Sequence, residues 1–189
     1  MKTTTYIACF SLITGLAAAT AADKNSDLGG NFAPKDAEFV MKAAQGGIME
    51  VEVGKLGQQK GSDPSAKQVG QMLVNDHSKA NDELKSIVTK KGGQVPTTLD
   101  AKHQGEVDKL AKKEGAEFDK AYFSMLQADH KKDIAEFEEA SRSLKDPDLK
   151  AFATKTLPTL RTHLEHVSNH GGASASSSAS AQKKSDNGR

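Results

Sequence analysis

Apolar residues recur every three or four positions along the central part of this chain, and this spacing predicts helices. The first predicted helix opens at Pro34 and ends near Gly61. The second opens with Asp63-Pro64, an N-cap followed by proline at the first helical position, and ends near Gly92. No stretch alternates between apolar and polar residues as a strand would, so the pattern predicts an all-α domain.

Three further helices follow from the same periodicity. A short, polar helix begins at Pro96, and a long helix follows Gly115 and ends near Ser141. Asp146-Pro147 repeats the cap-plus-proline start and opens the last helix, so the long helices suggest two related hairpins. Four long helices with short connections favour an antiparallel up-down bundle. We expect the short helix to lie across one end of the bundle or to extend the third long helix.

The N-terminal residues 1–22 are predicted to be a secretory signal peptide. Lys2 precedes an apolar run from Tyr6 to Ala19, and small residues mark a cleavage site after it. An uncleaved membrane anchor is the alternative, but the run is short for a membrane span. Cys9 is the only cysteine, so the mature chain has no disulfide. We therefore expect an exported protein, periplasmic or secreted, with no integral membrane span after cleavage.

The rest of the chain divides by composition. Residues 23–31 are predicted to be a polar linker, and residues 32–170 form the helical bundle. Residues 171–189 contain Gly, Ser, Ala and charged residues but no large apolar side chain, so we expect a disordered tail. Peripheral association with the outer membrane through this tail stays open.

The charge balance limits the classes of partner. Lys and Arg number 26 and Asp and Glu number 25, which gives a net charge of +1. A nucleic-acid-binding domain would carry a strongly basic face, so we expect no nucleic-acid partner. A protein partner in the cell envelope or a homo-oligomer remains compatible with this composition.

Four polar residues fall near the middle of the four long helices, on faces that are otherwise apolar. Counted from each helix start at 1.5 Å per residue, they lie roughly 20–24 Å along their helices. In an antiparallel bundle, helix midpoints meet, so their side chains should converge. These residues are Glu50, His77, His130 and His163.

Two interpretations of this layer are open. Buried polar groups must satisfy one another, bind water or bind a metal, because burial without partners is unfavourable. Three imidazoles and a carboxylate suit a single transition-metal ion, with zinc, copper and iron as the candidates. A hydrogen-bonded polar core that only sets the helix register is the alternative. Asp76, Asp129 and His166 are candidates for orienting or completing the site.

Several segments together resemble the bacterial domain-of-unknown-function family 4142. They are Phe39-Val-Met-Lys-Ala-Ala-Gln-Gly-Gly-Ile-Met-Glu50-Val-Glu52, Met72-Leu-Val-Asn-Asp76-His77-Ser-Lys-Ala-Asn81, Phe118-Asp119-Lys-Ala-Tyr122 and Thr156-Leu-Pro158-Thr-Leu-Arg-Thr-His163-Leu. The resemblance covers about Asp36 to Val167. It implies a ferritin-like bundle in exported bacterial proteins and no established activity. The family's motif positions include the four residues of the polar layer.

The wider ferritin-like superfamily often binds two irons through Glu-x-x-His pairs, and this chain departs from that pattern. Val74, Gln127 and Leu160 stand three positions before the three histidines of the layer. A single metal or none therefore fits better than a di-iron centre. The leading hypothesis is a non-catalytic, exported metal-binding bundle of unknown physiological role. The alternatives are a structural or interaction protein of the envelope with a metal-free polar core, and an oxidase or peroxidase.

Overall fold

The computed structural model describes residues 28–182 of the chain, and the side chains of residues 28–170. Within this part of the chain it contains five α-helices and no strand, which confirms the predicted all-α bundle of four long helices and one short helix. The helices are α1 (Pro34–Lys60), α2 (Pro64–Lys90), α3 (Ala101–Ala111), α4 (Gly115–Ser143) and α5 (Pro147–Gln182).

The four long helices form two hairpins, α1–α2 (the first hairpin) and α4–α5 (the second hairpin). Both second helices begin in the same way, with proline at the first position after an aspartate cap. The Asp63 carboxylate accepts a hydrogen bond from the Ser65 amide at 2.8 Å. Asp146 accepts from the amides of Asp148 at 3.0 Å and Leu149 at 3.1 Å. These caps satisfy amides that the first helical turn leaves without a partner.

The two hairpins repeat each other at a separation of 83 positions, from Asp36 to Asp119 and from Asp63 to Asp146. The two members of the first pair, Asp36 and Asp119, accept equivalent hydrogen bonds. Asp36 at the start of α1 accepts hydrogen bonds from the amides of Lys145 (2.9 Å) and Asp146 (3.1 Å) in the loop of the second hairpin. Asp119 in turn accepts from the loop of the first hairpin, at the amides of Ser62 (3.0 Å) and Asp63 (2.9 Å). Each hairpin therefore caps the turn of the other, and the suggested relation between the hairpins has a structural basis.

The connection between the hairpins corrects the expected up-down order. The start of α2 and the start of α4 pack into one hydrophobic cluster, and their ends pack into the other, so these two helices run in the same direction. Residues 91–114 therefore cross the length of the bundle. Helix α3 lies on this crossover, beside α1 and α4, and neither caps an end nor extends a long helix. Helices that are neighbours in the bundle remain antiparallel, with one long crossover of the kind known in ferritin-like bundles.

Two apolar clusters fill the bundle, one towards each end. One contains Phe39, Leu84, Phe137 and Phe152, and the other contains Val53, Leu73, Phe118, Tyr122 and Leu126. The 83-residue relation maps members of one cluster onto members of the other, for example Phe39 onto Tyr122. The predicted polar layer lies between the two clusters, at the level where all four long helices meet.

The ends of the domain differ from the boundaries predicted by composition. Leu28, within the predicted linker, is 5% exposed and packs into a core cluster, and its carbonyl accepts the Gln94 amide at 2.7 Å. Leu28 therefore belongs to the packed domain and not to an unpacked linker. Helix α5 continues to Gln182, past the predicted boundary at His170. Extension of an existing helix avoids the unfavourable nucleation step, which allows this Ser- and Ala-rich sequence to continue α5.

Two predictions fall outside the described residues. The signal peptide at 1–22 lies before Leu28, and positions 183–189 of the predicted tail follow Gln182. None of the helices in residues 28–182 combines the length and apolar character needed to cross a membrane.

Candidate metal centre

The four residues of the predicted layer are all buried, each supplied by a different long helix. The exposed fractions are 1% for Glu50, 7% for His77, 0% for His130 and 1% for His163. The three imidazole rings lie with centroids 5.3–5.8 Å apart. One ring nitrogen from each histidine lies within 4.8 Å of the other two. Counting along straight helices therefore located a real convergence of side chains.

The partners of His130 and His163 determine where their protons lie. The Nδ1–H of His130 donates to the Leu126 carbonyl at 2.9 Å, so the neutral ring carries its lone pair on Nε2. The Nε2–H of His163 donates to the Asp76 carboxylate at 3.1 Å, so its lone pair is on Nδ1. These two nitrogens, His130 Nε2 and His163 Nδ1, are 3.2 Å apart. Two lone pairs therefore face each other at 3.2 Å, and a positive charge between or beside them would relieve their repulsion.

Burial keeps the imidazoles neutral, the form in which they bind metals. Desolvation lowers the pKa of His130 to about 4, with a further contribution from the neighbouring His163. Desolvation also lowers the pKa of His77 well below its usual value, and His163 and His130 add to the effect. The pKa of His163 is lowered by burial as well, although the hydrogen bond to Asp76 opposes the shift. An imidazolium that could donate across the 3.2 Å contact is thus disfavoured.

Two members of the layer have buried polar atoms without a hydrogen-bond partner. They are Nε2 of His77 and both carboxyl oxygens of Glu50. Glu50 Oε1 lies 3.4 Å from His130 Nδ1, but that N–H is already committed to the Leu126 carbonyl. Desolvation raises the pKa of Glu50 well above its usual value, and the charges of Asp133 and Asp129 raise it further. A buried polar group that lacks a partner is unfavourable, so these atoms indicate a ligand or a charge missing from their surroundings.

The three candidates for orienting the site occupy different places. Asp76 contacts His163 directly, in the carboxylate–histidine arrangement that fixes the tautomer of a metal-binding imidazole. Asp129 is half-buried and faces the crossover: burial raises its pKa, as does the charge of Glu106 on α3. His166 is exposed to solvent. The structure therefore brings Asp76 to the layer and places His166 outside it.

Asp133 was missed by the reasoning from sequence. It follows His130 by less than one turn of α4 and occupies the position equivalent to Glu50 in the 83-residue repeat. Burial is the main cause that raises the pKa of Asp133 to about 7. The signal that could have revealed it is the repeat itself, because aligning the two cap-plus-proline starts places the two carboxylates at equivalent positions.

The fold and the site together define a four-helix bundle with a buried layer of histidine and carboxylate side chains. Residues 17–169 match the family described as domain of unknown function (DUF4142), and the chain belongs to that family. A crystal structure of a DUF305 fragment from Deinococcus radiodurans has a similar fold with a TM-score of 0.66. At 11% identity over 75% of this chain and 98% of that chain, the similarity shows the fold alone. No curated protein matches this sequence.

Proposed function

We propose that this chain is an exported protein that binds one transition-metal ion at His77, His130 and His163, whereas Glu50 lies beside His130 Nδ1 and outside this group of ligand atoms. Zinc, copper and iron are the candidate ions, because neutral imidazole is a suitable ligand for all three. The physiological role would be non-catalytic metal handling in the cell envelope. Export rests on the N-terminal signal pattern of residues 1–22.

The contact between His130 and His163 is the observation that carries this proposal. Their facing nitrogens are 3.2 Å apart and both bear lone pairs. Two nitrogen ligands of a tetrahedral zinc ion, each at 2.0–2.1 Å from the metal, lie about 3.3 Å apart. A cation would convert the repulsion between the lone pairs into two coordinate bonds. It would also provide a partner for His77 Nε2, which has none among the described residues.

Elemental analysis of the mature, untagged protein purified from its native compartment tests the proposal. We expect close to one zinc, copper or iron ion per chain, and loss of that ion in a His77→Ala/His130→Ala variant. His103→Ala is the matched control, because His103 lies on α3 and bonds Asp100 outside the layer. If neither the purified protein nor protein reloaded with each ion retains metal, the proposal is wrong.

A metal-free polar core is the second candidate, as part of a structural or interaction protein of the envelope. It is favoured by the bonds that already satisfy one nitrogen each of His130 and His163. Under this alternative, His77→Leu should keep the fold and raise the stability, because an unpartnered buried nitrogen is replaced by an apolar group. Metal binding predicts instead that the same variant loses the stabilisation that added metal gives the wild type.

A further inference from the structure

A narrow cleft leads from the surface of the bundle to His77. It has a volume of about 30 Å³, and its lining includes Lys42, Gly46, Asp133, Glu136 and His77. Lys42 is half-exposed and the Glu136 side chain is 26% exposed, whereas His77 is 7% exposed. One water-sized particle needs roughly 10–15 Å³ of such space, so the cleft has room for a small ion.

The repeat explains why the cleft is open on this side of the bundle. Four of the residues that line it are smaller than their equivalents 83 positions away. Gly47 and Ala80 correspond to His130 and His163, and Ala43 and Thr156 correspond to Leu126 and Leu73. On the opposite side, the same positions are therefore filled by the histidines themselves and by leucine side chains that are fully buried. The cleft is therefore the space that side chains as large as these equivalents would fill.

The charges along the cleft suit a cation. The carboxylates of Asp133 and Glu136 line it. The Lys42 amine is held at 2.8 Å by Glu38 and lies 3.8 Å from Glu136, so its positive charge is balanced at the mouth. At the inner end, His77 has a buried Nε2 with no hydrogen-bond partner. The cleft is therefore lined by carboxylates and ends at His77 Nε2, a potential ligand atom without a hydrogen-bond partner. These are two separate observations, and both favour a cation.

We propose that a divalent cation reaches the histidine layer through this cleft, guided by Asp133 and admitted by the absence of a side chain at Gly46. The proposal rests on the proposed metal binding and adds the path of entry and the residues that control its rate. Asp133 and Gly46 are positioning residues for entry and are not ligands of the bound ion. Their substitution should change how fast the ion moves, with little effect on how tightly it is held.

Gly46→Leu tests the path of entry. A Cβ at Gly46 would meet only Asp133 Oδ2, at 3.9 Å, so the first atom of the new side chain fits and the rest fills the cleft. The measurement is stopped-flow absorption of Co²⁺ uptake by the metal-free mature protein, with release followed after addition of a chelator. We expect uptake and release to slow together by at least about tenfold, while the Kd stays within about a factor of two. Gly105→Leu on α3 is the matched control, because a Cβ there meets nothing within 4 Å.

Asp133→Asn tests the guiding charge with almost no change in shape. Uptake above pH 8 should slow severalfold at low salt, and the remaining rate should depend less on salt than the wild-type rate does. Unchanged uptake rates in both variants would overturn the proposed path, as would a weaker Kd at an unchanged uptake rate. If the wild type binds neither Co²⁺ nor any of the zinc, copper and iron ions, the proposed function itself is refuted. Thermal unfolding of each metal-free variant checks that it is folded.

Discussion

The two hairpins share one scaffold but contribute different chemistry to the level at which they meet. Both have the same cap-plus-proline start, and each supplies an aspartate that holds the other's turn. In the polar layer the symmetry ends. The first hairpin supplies Glu50 and His77, and the second supplies His130 and His163. The comparison teaches that the positions fixed by backbone geometry repeat, whereas the positions that face the site have diverged.

The helices within the hairpins also pack differently. In the first hairpin, Gly54 and Gly70 lie where α1 and α2 cross, and a Cβ on either would collide with the carbonyl oxygen of the other. The equivalent residues of the second hairpin are Phe137 and Ala153, which are both buried in the core. The first hairpin therefore allows close contact of two backbones, whereas the second uses side chains to separate its helices.

Removal of the reciprocal caps should have the largest effect and should affect both hairpins equally. Asp36→Ala and Asp119→Ala each leave two loop amides without a charged acceptor, and each should lower the free energy of unfolding by about 2–4 kcal/mol. The caps lie at opposite ends of the bundle, so the double variant should show nearly additive losses. Urea unfolding measures all three, with exposed Asp108→Ala as the control. If one of the two single variants lost much of its free energy of unfolding and the other lost none, the two caps would not be equivalent.

A smaller effect should appear where one hairpin supports a ligand of the other. Asp76 on α2 accepts the Nε2–H of His163 on α5. In Asp76→Asn the amide oxygen can still accept this bond, but the negative charge that raises the basicity of the ring is lost. We expect the metal affinity to fall about 10- to 100-fold, which titration against a competing chelator would measure.

The matched control for this variant is Thr159→Ala, at the equivalent position of the second hairpin, which should leave the affinity unchanged. Equal losses in both variants would mean that the support is a general effect on helix packing and not a specific contact with His163.

The pH dependence of stability distinguishes Asp133 on the second hairpin from Glu50, its equivalent on the first. The pKa of Asp133 rises from 3.8 to about 7 on folding, so the folded state of the metal-free protein binds its proton more tightly than the unfolded state does. This contribution to stability is full below pH 3.8 and is lost as the pH rises to about 7. Asp133→Asn lacks this titration, so its stability relative to the wild type should rise by about 4 kcal/mol as the pH increases from 4 to 8.

The difference between variant and wild type removes the contributions that both proteins share. The raised pKa of Glu50 makes the folded state less stable as the pH rises, as for Asp133. The lowered pKa values of the histidines have the opposite effect on the pH dependence of stability. Urea unfolding of metal-free protein at several pH values gives the comparison. A difference that stays constant from pH 4 to 8 would show that Asp133 is ionised at all these pH values.

Much of the architecture could be predicted because helices are regular. Periodicity located the long helices, and a fixed rise per residue placed the four layer residues at one depth, where they are buried together. The crossover could not be predicted from periodicity, since the direction of α4 depends on which end of the bundle residues 91–114 reach. The caps at Asp36 and Asp119 bridge residues more than fifty positions apart, so no local pattern indicated them.

The sequence predicted all three histidines of the candidate site, but it predicted the nearby carboxylates only in part. A histidine on an apolar face is conspicuous, whereas Asp133 lies among the charged residues of α4 and resembles part of a solvated surface. Its Oδ2 lies next to Gly46 on α1, where a Cβ would be 3.9 Å away. Asp129 was expected at the site because it precedes His130, but it faces α3. Which side of a helix a carboxylate occupies is decided by its neighbours on other helices.

The hydrogen bonds from Asp36 and Asp119 to the opposite hairpins bear on how the domain would behave if its chain were cut between the hairpins. Residues 91–114 are the only covalent link between the hairpins, yet Asp36 and Asp119 join them through four hydrogen bonds to opposite turns. A cut in this link would leave two fragments, each of which carries the piece that completes the other. Fragment complementation is therefore built into the fold, and two separately expressed halves should reassemble as a heterodimer in which the polar layer is restored.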